Sequence, residues 1–156
     1  MLEELTAGFP ILSCILFLPV AGAVVLWLFD EEDMVRTSAL TIALVELALS
    51  VFVLLRFVPE SAAMQFTERV PWIPALGISY HLAVDGISVL FVGLTAFLTV
   101  LVVVYSWDTI RHQVKLYMMC LLALETTTMG VFVSLDLILF FVFWELMLIP
   151  SYFLIK

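Results

Sequence analysis

From Val114 to Ile155 the chain runs apolar for 42 residues, interrupted by four charged side chains only: Lys115, Glu125, Asp136 and Glu145. A helix crosses the hydrocarbon core of a bilayer with about 20 apolar residues. This run is twice that length, so it must fold into two spans, and Asp136 near its centre marks the turn. Alternating strands of a membrane barrel take about ten residues each and are excluded by runs this long and continuous. Composition agrees. The chain is 65% hydrophobic and 13% charged, against about 25% charged for ordinary soluble domains. Fourteen acids and six bases cannot cover the surface of a small soluble fold. The net charge of −8 and the lack of a basic patch exclude nucleic-acid binding, and the apolar content excludes intrinsic disorder.

The fold class expected is therefore an all-α integral membrane protein with about five transmembrane helices in a single membrane region. The first span is placed at 9–29, ended by the acidic run Asp30-Glu31-Glu32-Asp33. The second runs over 37–58, with Thr37 or Ser38 as its N-cap and Pro59 as its stop. The third covers 84–105, the fourth 114–134 and the fifth 137–155. Residues 59–83 change character, with three prolines, a glycine and scattered charges. They read as an interfacial loop whose Trp72, Tyr80 and His81 suit the headgroup level. No internal repeat or low-complexity segment is seen. The start carries Glu3 and Glu4 rather than a basic region, so no cleavable signal peptide is expected.

Orientation follows from Lys and Arg near the span ends. Five spans put the N-terminus, the 59–83 segment and the Asp136 turn on one side, with Arg56 and Arg69. The other side holds Arg36, Arg111, Lys115 and Lys156. Four against two predicts an external N-terminus and a cytoplasmic C-terminus.

Ionised acids at membrane depth cost several kcal/mol and mark function by default. Three are present: Glu46, Glu125 and Glu145. Glu125 lies eleven residues before Asp136 and Glu145 nine after it, about 16 Å and about 14 Å below the turn at ~1.5 Å per residue. Both reach the bilayer midplane on adjacent antiparallel helices, where acids at matched depth can pass a proton through a short water chain. Burial and a moving cation push a carboxyl pKa in opposite directions and would load and unload such a site. The bland alternative is a protonated glutamate bonded to a neighbouring helix. Pro150 cannot donate to the carbonyl of Leu146 and predicts a kink beside Glu145.

Other residues read as structural. Glu46 has no partner visible in the sequence and reads as a structural hydrogen bond or a subunit contact. Asp85 reads as a helix cap and Asp136 as a turn residue. His81 and His112 have no second ligand, so no metal site is expected. Cys14 and Cys120 sit among apolar neighbours as small packing residues. Thr126, Thr127 and Thr128 bond either Glu125 or their own backbone carbonyls.

Two stretches carry a family resemblance. Residues 72–88, WIPALGISYHLAVDGIS, and residues 143–154, FWELMLIPSYFL, resemble the antiporter-like subunits of respiratory complex I, and the second is similar to the fifth-helix motif of its bacterial subunit M. Leu124-Glu125 followed by Gly130-Val131-Phe132 agrees. The likeness covers nearly the whole chain and is weakest over the first 60 residues. It implies that the five spans are the first part of a family fold of about fourteen. A chain ending at Lys156 is then expected to be a fragment that lacks the later helices and does not pump alone.

The resemblance further implies proton translocation coupled to NADH–quinone electron transfer, in a bacterial inner membrane. Glu145 matches the family's fifth-helix glutamate, which works with a lysine on a later broken helix, and Glu125 matches the fourth-helix glutamate. Expected partners are other membrane subunits and the lipid bilayer. The chain has no GxGxxG and no cysteine cluster, so no cofactor, no redox centre and no direct NADH or quinone binding are expected of it. The alternatives are a subunit of a multi-component cation/proton antiporter, a membrane-bound hydrogenase relative, or a truncated piece with a structural role only.

Overall fold

A computed structural model describes residues 9–156. The reading of Glu3 and Glu4 lies outside them. Five helices follow one another: α1 Ile11–Leu26, α2 Glu32–Arg56, α3 Ser88–Thr109, α4 Val114–Val133 and α5 Leu137–Ile155. Four of them, α2 to α5, are long and apolar enough to cross a membrane. The fourth and fifth spans lie where the sequence puts them, within a residue. The other boundaries shift. α1 has 16 residues, about 24 Å at the helical rise, so it is shorter than the expected 9–29. α2 begins at Glu32, five residues before the Thr37 cap read from the sequence. The acidic run supplies its first turn, where Glu32 and Asp33 meet the positive end of the helix dipole. α3 begins at Ser88 because the preceding residues are spent in a strand.

That strand is the main correction to the sequence reading. Residues 59–83 are not a plain loop: β1 Gln65–Ile73 and β2 Ile78–Val84 pair as an antiparallel hairpin. A 3₁₀ turn at Pro74–Leu76 joins them, and Gly77 closes it at φ 69°, a left-handed conformation that glycine adopts without Cβ strain. Pairing the strands satisfies backbone groups that would otherwise face the edge of the hydrocarbon. β1 is largely exposed, while β2 buries Ser79, Leu82, Ala83 and Val84 against the helix ends.

The hairpin also finishes two helix starts. Pro10, before α1, has no side chain to cap it, and Glu68 of β1 takes that place by accepting from the N–H of Leu12 at 2.7 Å and of Ser13 at 3.2 Å. The Ser13 hydroxyl bridges Glu68 and the Tyr80 hydroxyl. At the other corner, the Leu135 N–H donates to the His81 carbonyl at 2.9 Å. On the opposite face of the bundle, Lys115 binds Asp30 at 3.0 Å, and Arg36 donates to the Ile110 carbonyl at 2.9 Å. The two ends thus group the charges as the five-span reading expects.

Inside, α4 is the central helix, with 56% of its most apolar window buried, against 17% for α5. Apolar packing forms two separate clusters. One lies toward the hairpin and includes Leu12, Leu16, Val53, Leu82, Ala96, Met129 and Phe143. The other lies toward the opposite end and includes Ala23, Leu26, Ala43, Val103, Met118 and Leu122.

Candidate functional site

The space between the two clusters is polar. On α2, Glu46 and Ser50 fall between Ala43 and Val53. On α3, Thr99 falls between Ala96 and Val103. On α4, Glu125 and Thr126 fall between Leu122 and Met129. All five are buried, Glu46 to 0% exposure and Glu125 to 2%. The helical repeat explains the alignment: Glu46 and Ser50 are four apart and share a face, and each acid sits near the middle of its helix. Glu46 and Glu125 thus lie at one level on two helices that pack together, α2 and α4. Thr99 is the hydroxyl beside Glu125, but it donates to the Thr95 carbonyl at 3.1 Å. Both carboxyls, the Ser50 hydroxyl and the Thr126 hydroxyl are therefore buried without a hydrogen-bond partner.

This corrects the reading of Glu46. It makes no structural hydrogen bond within the described residues, and it faces the interior of the bundle rather than a subunit contact. Its mid-helix position is readable from the sequence, whereas its inward direction is not. Thr127 and Thr128 bond the carbonyls of Ala123 and Leu124, the second of the two alternatives for them, whereas Thr126 bonds neither Glu125 nor backbone.

Glu145 lies at mid-helix on α5 and is exposed. Its neighbour Phe143 points inward, packed so closely on Gly130 of α4 that a methyl group there would collide with the ring. Two residues further round a helix of 3.6 residues per turn is about 200°, so Glu145 faces away from the bundle. Its face carries Phe141, Leu148 and Tyr152, all exposed. Glu125 and Glu145 thus share a depth on packed helices, with Glu125 enclosed and Glu145 on the outer surface. α5 continues through Pro150 to Ile155 as helix, with the Ser151 hydroxyl donating to the Met147 carbonyl at 2.7 Å.

Asp85 caps a helix start as the sequence predicts, and Asp136, read there as a turn residue, is the N-cap of α5. Asp85 accepts from the N–H of Ser88 at 2.7 Å and of Ile87 at 3.0 Å. Asp136 caps α5 through Ile138 and Leu139 with one oxygen, and with the other accepts from the N–H of Ser79 in the hairpin at 2.8 Å. Backbone donation from Ser88 and from Ser79, respectively, holds both carboxyls below the usual aspartate range. No cluster of three or more metal-ligating side chains occurs among the described residues.

The fold and its mid-depth acids define a multi-pass helical membrane protein that keeps ionisable groups where lipid would reject them. Comparison with known proteins shows what it is similar to. The chain is 35% identical over 153 residues to NADH-quinone oxidoreductase subunit M of Rickettsia felis, covering 94% of this chain and 31% of that one. It is 42% identical over 151 residues to subunit M of Rhodobacter capsulatus, covering 93% and 29%. Against NAD(P)H-quinone oxidoreductase chain 4 2 of Thermosynechococcus vestitus the identity is 39%, covering 95% and 28%. A chain of respiratory complex I from Thermus thermophilus with bound NADH shares the fold, with a TM-score of 0.74 at 23% identity, over 90% of this chain and 27% of that one. No family model matches. The resemblance to subunit M of NADH–quinone oxidoreductase, read first from two motifs, therefore holds across almost the whole chain. The chain spans about a third of the length of the curated relatives it matches.

Proposed function

We propose that this chain belongs to the proton-translocating membrane part of an NADH–quinone oxidoreductase, and that Glu145 and Glu125 are the residues through which it takes part. The observation that carries the reading is the placement of Glu145. It sits at mid-helix in the FWELMLIP motif, on an outward face otherwise made of apolar side chains. A carboxylate facing lipid at that depth is costly, so the face is suited to burial against further protein carrying a cation. The motif resemblance supplies that partner as a lysine on a later helix. Glu125 stands behind it on the neighbouring helix at the same depth. NADH oxidation and quinone reduction fall to partner subunits, and charge movement driven by them biases the proton affinity of Glu145. The family resemblance implies a bacterial inner membrane, and the Lys and Arg distribution supports an N-terminus outside it.

The test is Glu145→Gln in the assembled complex. The amide keeps the shape and removes the titrating group. Proton pumping should fall by about a hundredfold or more, the scale of losing a positioned proton-transfer group, while the complex assembles normally. Undiminished pumping by an assembled variant would overturn the reading.

A further inference from the structure

The polar layer between the two apolar clusters has a composition that packing alone does not explain. Replacing buried polar groups by apolar ones of similar shape is close to neutral, whereas leaving them unpartnered is expensive. Here six oxygens are buried and unpartnered at one depth: two on Glu46, two on Glu125, and the hydroxyls of Ser50 and Thr126. They come from two different helices, α2 and α4. Among the described residues no cation is positioned to neutralise them. On α2 the nearest are Arg36 and Arg56, each ten residues from Glu46, and on α4 the nearest is Lys115, ten residues from Glu125. That is about 15 Å along the axis. α3 offers Tyr105 and Asp108 near its far end, α1 only Cys14, and α5 the outward Glu145 and Tyr152; the other titratable groups on α4 are Tyr117 and Cys120.

We infer that Glu46 and Glu125 form a two-carboxyl site in the interior of the bundle that holds at least one proton between them and takes up water as its ligand, with Ser50 and Thr126 completing the hydrogen bonds. Three physical constraints lead there. Two carboxyls buried on packed helices, with no cation at their level among the described residues, do not both stay ionised. A protonated carboxyl is both donor and acceptor, so a single retained proton lets the two groups share one water-bridged hydrogen-bond network. Water is the smallest ligand able to reach the remaining lone pairs, and it needs two to four polar partners, which the layer supplies. The site is separate from the outward face of Glu145. It gives Glu125 a partner in Glu46, a residue with no assigned role. What the held proton is used for rests on the proposed function; its presence does not.

The experiment therefore reads the proton directly. The intact complex in lipid nanodiscs is titrated while the infrared carbonyl band of protonated carboxyl groups is followed in H2O and D2O. At neutral pH a protonated band sensitive to D2O is expected, and it should weaken in both Glu46→Gln and Glu125→Gln. In each variant the remaining carboxyl, freed of its neighbour, should titrate at lower pH than the pair does. That reciprocal shift is something a purely structural role would not produce. Ser50→Ala keeps both carboxyls and should change the band position without removing it, which provides the test if either glutamine variant fails to assemble. The inference is overturned if the band is unchanged in every variant. It is likewise overturned if the two carboxyls titrate independently, or if sodium chloride at constant pH abolishes the band, which would make this a cation site. None of these readouts requires turnover, so loss of pumping in Glu145→Gln and loss of this site are distinguishable.

Discussion

Backbone N–H groups, from Ser88 at the start of α3 and from Ser79 in the hairpin, hold the carboxyls of Asp85 and Asp136 below their usual range, and this gives the protein a pH dependence whose sign is fixed. A carboxyl held below its ordinary value of about 3.9 contributes stability that is present above that value and is lost as pH falls through the folded-state value. For Asp136 the largest cause is the Ser79 N–H. Asp136→Ala should therefore lower the thermal midpoint at neutral pH, and the gap to the parent protein should close in acid. A gap that stays constant with pH would sink this account. At this scale the sequence was informative about depth and poor about direction. Glu46, Glu125 and Glu145 were all recognisable as mid-span acids, because counting residues from a span end gives height directly. Which way each one points depends on where neighbouring helices pack, and an apolar sequence on all sides of a helix leaves that unspecified. The signal that was available for Glu46 and Glu125 is their common height, since both lie near the centre of their helices.

Among the elements, α4 and α5 show how small residues set the contact. Gly130 leaves room for the Phe143 ring, and Gly22 of α1 does the same for Ile42 of α2, where an added Cβ would meet its side chain at 2.6 Å. Close approach at small residues is the usual means of helix association in membranes. Gly130→Ala should cost about 1–3 kcal/mol, the scale of overpacking, seen as a lower unfolding midpoint in detergent. An unchanged midpoint would mean that the two helices separate more readily than their packing implies. The hairpin makes a second prediction. With Glu68→Ala, the amides of Leu12 and Ser13 lose their acceptor, so hydrogen exchange at the start of α1 should quicken, for a loss of about 1 kcal/mol. Exchange as slow as in the parent would show that Glu68 caps nothing. The spans were legible because each is a long apolar run bounded by charge or proline. The hairpin was not, for physical reasons: β1 carries Pro71, its register is broken by irregularities on both sides of 68–71, and most of it is exposed, so no alternation of buried and exposed residues marks it. Gly77 between two short β-prone runs was the one usable sign.

For the molecule as a whole, the charges sort to two ends. Arg69 lies in the hairpin, and Lys115 with Arg36 lies at the far end. Single cysteines introduced at position 69 and at position 115, in a background with Cys14 and Cys120 replaced, should react with an impermeant thiol reagent from opposite sides of the membrane. Position 69 should react from outside. Labelling of both from one side would contradict the five-span arrangement, and reversed sides would contradict the orientation only.

The bond from Ser79 to Asp136 joins residues 57 apart in the chain. Between them lie α3 and α4, which must cross and recross the bilayer before the two can meet. The hairpin reaches its final seat only after the turn ahead of α5 has been carried over to the same side. This closing contact of the hairpin therefore depends on both intervening helices being in place, and a chain cut before Asp136 would lack it.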